Sequence, residues 1–206
     1  MSVTKFAAFS GAAVVVTLAV TFAITQIMAP AQQFEDCIEG SVAGGNIGGP
    51  FELMDHRGQM VMDAQVLDQP ALVYFGYTFC PDVCPMDVAR NAVAVEILAD
   101  AGFKVKPVFI TIDPARDTVE YLADFVANTH PEMVGLTGTA EQIAKAARAY
   151  KVYYRKQSSE DEEYYLMDHS SFSYLMLPDV GFVDFLRSDL PSEVVADRVA
   201  CVLRAS

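Results

Sequence analysis

Two cysteines with three residues between them, Cys80-Pro81-Asp82-Val83-Cys84-Pro85, follow directly on the apolar run Ala71-Leu72-Val73-Tyr74-Phe75-Gly76-Tyr77. That run is short, apolar and aromatic, which is the pattern of a buried strand. Beyond Cys84, the residues Val88, Ala92, Val95 and Leu98 recur at helical spacing. The pair therefore lies at a strand-to-helix junction. Backbone N–H groups at a helix start have no intrahelical partner, and the macrodipole adds partial positive charge there. Both effects favour thiolate over thiol, so the expectation is two activated sulfurs able to bind a soft metal or attack a disulfide. The alternative is two buried structural cysteines or one plain disulfide.

The N-terminus sets the compartment. No charged residue stands between Phe6 and Ala29, a run long enough to cross a bilayer and longer than the apolar core of a secretory signal. Lys5 precedes it and Glu35 and Asp36 follow, which places the N-terminus in the cytoplasm. The expectation is an uncleaved single-pass anchor, with the remainder in a periplasm-like or intermembrane space. Ala29-Pro30-Ala31 resembles a cleavage site and keeps a cleaved signal as the alternative. Net charge is −13, which argues against nucleic-acid binding, since that needs a basic face. The expected division is 1–30 as cytoplasmic tip and anchor, 31–49 as glycine-rich linker and 50–206 as one domain.

Within that domain the pattern alternates. Phe51 to Val61 reads as a hairpin around Asp55-His56-Arg57-Gly58, and residues 105–112 as a second core strand. Asp117-Thr118-Val119-Glu120 fits a capping box for a helix to about Asn128, with Val119, Leu122 and Val126 inward. A short strand over 133–136 precedes a second box at Thr139 and Gln142. Residues 160–163 read as a solvated acidic loop, 171–177 and 182–186 as a hairpin, and Pro191 as the opening of a last helix. Strands alternating with helices, closed by a hairpin and a helix, predict an α/β fold with a mixed sheet flanked by helices. Paired cysteines after the first core strand make the thioredoxin-like fold the natural candidate, although its usual spacing is one residue shorter.

A third site residue is sought among three histidines. His56 lies in a turn and His130 precedes a proline, so both read as surface residues. His169, in Met167-Asp168-His169-Ser170, has an acidic neighbour and a following strand, and in thioredoxin-like topology that loop faces the cysteine helix. Two thiolates and one imidazole form a soft, three-coordinate set suited to copper. Zinc would want a fourth ligand or a catalytic surround. Asp168 either orients the ring or caps a turn. Asp113 and Arg116 read as a structural turn, with Arg116 pairing Asp113 or Asp117. Met86 and Met167 read as core fillers rather than ligands.

Tyr74-Phe75-Gly76-Tyr77-Thr78-Phe79-Cys80-Pro81-Asp82-Val83-Cys84-Pro85, Thr111-Ile112-Asp113-Pro114-Ala115-Arg116-Asp117-Thr118 and Asp168-His169-Ser170 together resemble the signature of the Sco/SenC family, in the family's order. The resemblance runs from about Gly48 to Leu203. It implies a thioredoxin-like domain tethered by one membrane helix at the inner membrane. It implies Cys80, Cys84 and His169 as ligands for Cu(I) or Cu(II), and a role in assembling the CuA centre of cytochrome c oxidase subunit II. Other periplasmic copper chaperones or thiol reductases are the further partners it suggests.

Two functions follow. The first is a copper metallochaperone, which transfers metal by ligand exchange and is not an enzyme. The second is a thiol–disulfide oxidoreductase using Cys80 and Cys84 on the target's copper-site cysteines, with a redox or copper sensor as its variant. A peroxidase is a weaker third. His169 separates the first two, since disulfide exchange does not require an imidazole. Cys37 and Cys201 lie outside the motif, in the exported part, where disulfides persist. Domain termini are often close, so a structural bridge between them is expected; the alternative is a buried Cys201 and an unrelated free Cys37.

Overall fold

The computed structural model describes residues 33–38, 47–159 and 164–206. The apolar segment 6–29, most of the linker and the acidic loop 160–163 lie outside the described residues. Among the described residues no helix is long and apolar enough to cross a membrane.

The chain runs β1 (Glu52–Asp55), β2 (Met60–Met62), α1 (Asp63–Val66), β3 (Ala71–Gly76), α2 (Val83–Asp100), β4 (Lys106–Thr111), α3 (Val119–Ala127), β5 (Val134–Thr137), α4 (Ala140–Ala149), β6 (Tyr154–Lys156), β7 (Met167–His169), β8 (Phe172–Leu177), β9 (Gly181–Arg187) and α5 (Ser192–Ala205). Seven strands form one sheet in the order β2-β1-β5-β4-β3-β8-β9. Its centre, β5-β4-β3, is parallel, and β8 returns antiparallel beside β3. This is the mixed thioredoxin-like sheet flanked by helices. β6 and β7 form a separate two-stranded ribbon.

β3 and β4 are buried along almost their whole length because helices cover both faces. Alternation divides the side chains of β3: Val73 and Phe75 enter one core cluster, and Leu72 enters the other. The first cluster holds Leu122 and Val126 of α3, Ile143 and Ala146 of α4, and Cys84 and Val88 at the start of α2. The second holds Val95 and Leu98 of α2 with Val195, Val199 and Val202 of α5. Cys37 and Cys201 are bonded, with their Cα atoms 5.5 Å apart, and Phe34 is buried against the second cluster. The bridge thus fastens residues 33–38 to α5.

The cap at Thr139 forms as a full capping box with Gln142. The one expected at Asp117–Glu120 does not. Thr118 is the N-cap of α3 and accepts from the Tyr121 amide, while Asp117 turns into the core. Two hydroxyls and an amide waiting inside outcompete the helix end for its carboxylate, as described below. His130 is also not a surface residue. It is 7% exposed, and its Nδ1 accepts the Glu132 amide at 3.1 Å. His56 is half-buried and accepts the Gly135 amide at 3.2 Å.

Candidate metal centre

The site lies at the C-terminal end of β3, where parallel strands leave room for ligands. After Gly76 the chain turns, with the Cys80 amide donating to the Tyr77 carbonyl at 3.2 Å. Cys80 stands half-buried in this turn; Cys84 is buried in the first turn of α2. Gly76 makes space for Cys84: a Cβ there would lie 3.0 Å from its Sγ and 2.8 Å from Cε1 of Tyr74. His169 arrives from the far end of the chain on β7, which is held by β6 and by the Ser170 amide donating to the Tyr153 carbonyl at 2.9 Å.

The Sγ atoms of Cys80 and Cys84 and a ring nitrogen of His169 all lie within 4.8 Å of one another. The Nε2 of His169 is 3.2 Å from Cys84 Sγ. Its Nδ1 lies 2.9 Å from the Ser170 carbonyl, which can only accept. Nδ1 therefore carries the proton in the neutral ring, and the Nε2 lone pair faces the sulfurs. That is the tautomer a metal-binding histidine needs. Burial holds the imidazole below its ordinary pKa, so it stays neutral; the Ser170 carbonyl and the charges of Asp87 and Asp168 pull weakly the other way.

Burial has the opposite effect on the thiol. It pushes Cys84 well above the ordinary thiol range, and neighbouring Cys80 adds to this, against the Tyr77 backbone hydrogen bond. The thiolate expected from the helix start is therefore not the resting state of Cys84. Desolvation of a sulfur inside the core outweighs a half-charge at the helix end. Among the described residues this is the one Cys/His/carboxylate cluster close enough to hold an ion, and it offers two soft sulfurs and one imidazole. Such a donor set fits copper in a site of three ligands.

Asp168 does not orient the ring. Adjacent strand residues point to opposite faces, and its carboxylate accepts from Arg155 and Gln157 on the ribbon's exposed side. Its influence on His169 is limited to its charge.

A buried network holds the ligand-bearing segments together. Asp117 accepts the Thr78 hydroxyl on Oδ1 and the Thr111 hydroxyl on Oδ2, each at 2.6 Å, and the Thr78 amide across both oxygens. Burial pushes its carboxyl up and these hydrogen bonds pull it back. Asp113 pairs with Arg116 and accepts the Tyr165 hydroxyl at 2.7 Å. Arg116 stacks 3.6 Å from the Tyr165 ring centroid and 5.0 Å from that of Phe79. The Met167 amide donates to the Tyr77 hydroxyl at 3.2 Å. The cysteine turn and the approach to His169 are thus both pinned to the β4–α3 turn. Asp87 escaped the sequence reading. It is 2% exposed, pairs with Arg90 and accepts the Ser188 hydroxyl. Its signal was present: a carboxylate on the stripe Cys84, Asp87, Val88, Asn91, Ala92 occupies a core position.

The SCO1/SenC family model matches residues 40–204. Protein SenC of Rhodobacter capsulatus is 47% identical over 195 residues, covering 94% of this chain and 88% of that protein. The mitochondrial SCO1 homolog 1 of Arabidopsis thaliana is 41% identical over 168 residues; the match covers 81% of this chain and 50% of the plant protein, about half its length. A crystal structure of Arabidopsis thaliana ScoI with copper bound superposes with a TM-score of 0.74 at 40% identity, over 78% of this chain and 99% of that one. With both the extent of the family match and the identities in agreement, the chain belongs to the SCO1/SenC family.

Proposed function

We propose that this protein is a copper metallochaperone that holds copper on Cys80, Cys84 and His169 and hands it to the CuA centre of cytochrome c oxidase subunit II. The observation that carries this reading is the convergence of the His169 lone pair on the two free cysteines within 4.8 Å. A pair built only for disulfide exchange needs no imidazole at that place. The copper-bound relative at 40% identity supports the same cargo. Copper is what the site carries, and a cysteine sulfur that gives it up takes back a proton. Three protein ligands leave the ion open to an incoming donor from the partner, so the ligands exchange one at a time. Residues 6–29 anchor the chain in the inner membrane and place the domain of residues 50–206 on its outer side, tethered by residues 31–49.

A second role on the same pair is favoured by the contrast between half-buried Cys80 and buried Cys84. Cys80 thiolate attacks a disulfide of the target, releasing one target thiolate. Cys84 then displaces the other, leaving the target dithiol reduced and Cys80–Cys84 oxidised. Because that oxidation destroys the metal site, the two activities alternate on one molecule.

Deleting the protein should lower oxidase activity most when copper is scarce, and excess copper should restore it by mass action. Absence of any rescue by copper would shift the account to thiol reduction.

A further inference from the structure

Two tyrosines, one in β3 and one just after it, flank the histidine. Tyr74 and Tyr77 both set their rings edge-on to His169, with centroids at 6.3 and 5.9 Å and interplanar angles of 86° and 85°. Tyr74 is 1% exposed, and its hydroxyl is buried without a hydrogen-bond partner. A buried hydroxyl left unpaired is costly, and such groups call for an explanation. The ring's Cε1 and Cys84 Sγ crowd the same point above Gly76, at 2.8 and 3.0 Å. Burial pushes the Tyr74 hydroxyl well above the ordinary phenol range, so it keeps a proton to donate. Tyr77 differs in one respect. Its oxygen already accepts the Met167 amide at 3.2 Å, which fixes the ring beside His169.

We propose that Tyr74 is a positioning residue of the copper site, donating its O–H to the Cys84 sulfur, while its ring edge and that of Tyr77 fix the plane of His169. The inference rests on the copper reading of that site. A thiol sulfur is a weak acceptor, and the Tyr74 hydroxyl is unpaired beside it. A metal is bound by the thiolate, a stronger acceptor to which that hydroxyl can turn. A hydrogen bond to a ligating thiolate withdraws electron density from sulfur. The Cu(I) state leaves more charge on sulfur than the Cu(II) state does, so the donor favours Cu(I). It also lowers the energy of the sulfur electrons, which moves the sulfur-to-Cu(II) charge-transfer band to shorter wavelength. Hydrogen bonding around a cysteine sulfur is a known lever on copper and iron–sulfur potentials.

The test is titration of the reduced full chain in detergent, first with Cu(II) to read the charge-transfer band, then with Cu(I) and Cu(II) against competing chelators. Tyr74→Phe removes only the hydroxyl. It should move the band to longer wavelength and raise the Cu(II)-to-Cu(I) affinity ratio by about tenfold, the worth of one charge-assisted hydrogen bond at the low end. Tyr150→Phe is the control, because Tyr150 is equally buried with an unpaired hydroxyl but lies among Phe75 and Tyr174; it should leave both readings unchanged. If wild type and Tyr74→Phe give the same band and the same ratio, Tyr74 serves only packing, and the proposal is overturned. A wild type that binds no copper would instead overturn the copper reading itself.

Discussion

The Nε2 of His169 sits 3.2 Å from Cys84 Sγ although 85 positions separate them in the chain. Nothing local brings them together. Cys84 is placed by the β3–α2 junction, and His169 by a three-residue strand paired with β6. The contact is made by the tertiary fold and by the hydrogen bonds that tie both segments to the β4–α3 turn. The predictions below follow from that dependence.

Gly76 should prove essential to the site for a steric reason. An alanine Cβ would lie 3.0 Å from Cys84 Sγ, 2.8 Å from Tyr74 Cε1 and 3.2 Å from Phe109 Cε2. None of these can withdraw freely from a packed core. Gly76→Ala should cost about 1–3 kcal/mol of stability and displace a ligand as well. Gly135→Ala is the comparison, since its Cβ would meet Val126 Cγ2 at 2.9 Å, among side chains of the α3 face. Thermal unfolding should show both variants destabilised. Metal analysis should show copper lost only with Gly76→Ala, and equal copper in the two would remove Gly76 from the account.

Copper affinity should rise with pH. Burial pushes the Cys84 thiol up, so the metal-free protein holds that proton through neutral pH. Copper must expel it, and each proton released makes apparent affinity change about tenfold per pH unit. The sign is fixed: protons compete with copper, so affinity falls as pH falls. His169 adds nothing in this window, because burial holds its pKa below the ordinary imidazole range. It steepens the slope only in more acid solution. Chelator competition from roughly pH 6.5 to 8.5 measures this, and a flat profile would mean that Cys84 is already a thiolate in the metal-free state.

The local patterns were legible in the sequence and the non-local ones were not. The β3 run, the α2 stripe and the Thr139 box could be read because each is written in a few neighbouring residues. The β6–β7 ribbon could not: Tyr154–Lys156 and Met167–His169 are too short to show alternation. The candidate ligands could be named from residue type and motif, yet the state of Cys84 was misjudged. The helix-start argument uses only sequence position, whereas burial depends on what packs over the thiol. Asp117 was assigned to a helix cap for the same reason. Thr78 and Thr111, which claim it, come from other elements.

The Cys37–Cys201 bridge should serve stability and leave the copper site untouched. It closes a loop with a sequence separation of 164 residues, for which chain entropy gives at most about 5 kcal/mol. It packs with the α2–α5 cluster, whereas Cys80 and Cys84 belong to the other. The double variant Cys37→Ser, Cys201→Ser should unfold at lower urea and bind copper as wild type does. Unchanged unfolding would show that the denatured chain gains nothing from losing the crosslink.

The most direct test is the copper content and affinity of the reduced protein beside Cys80→Ala, Cys84→Ala and His169→Ala. Each variant removes one of the three proposed ligands and should leave the fold intact. The account predicts one copper per chain in wild type and loss of tight binding in every variant. A His169→Ala protein that holds copper as tightly as wild type would contradict it, leaving the two cysteines as a redox pair.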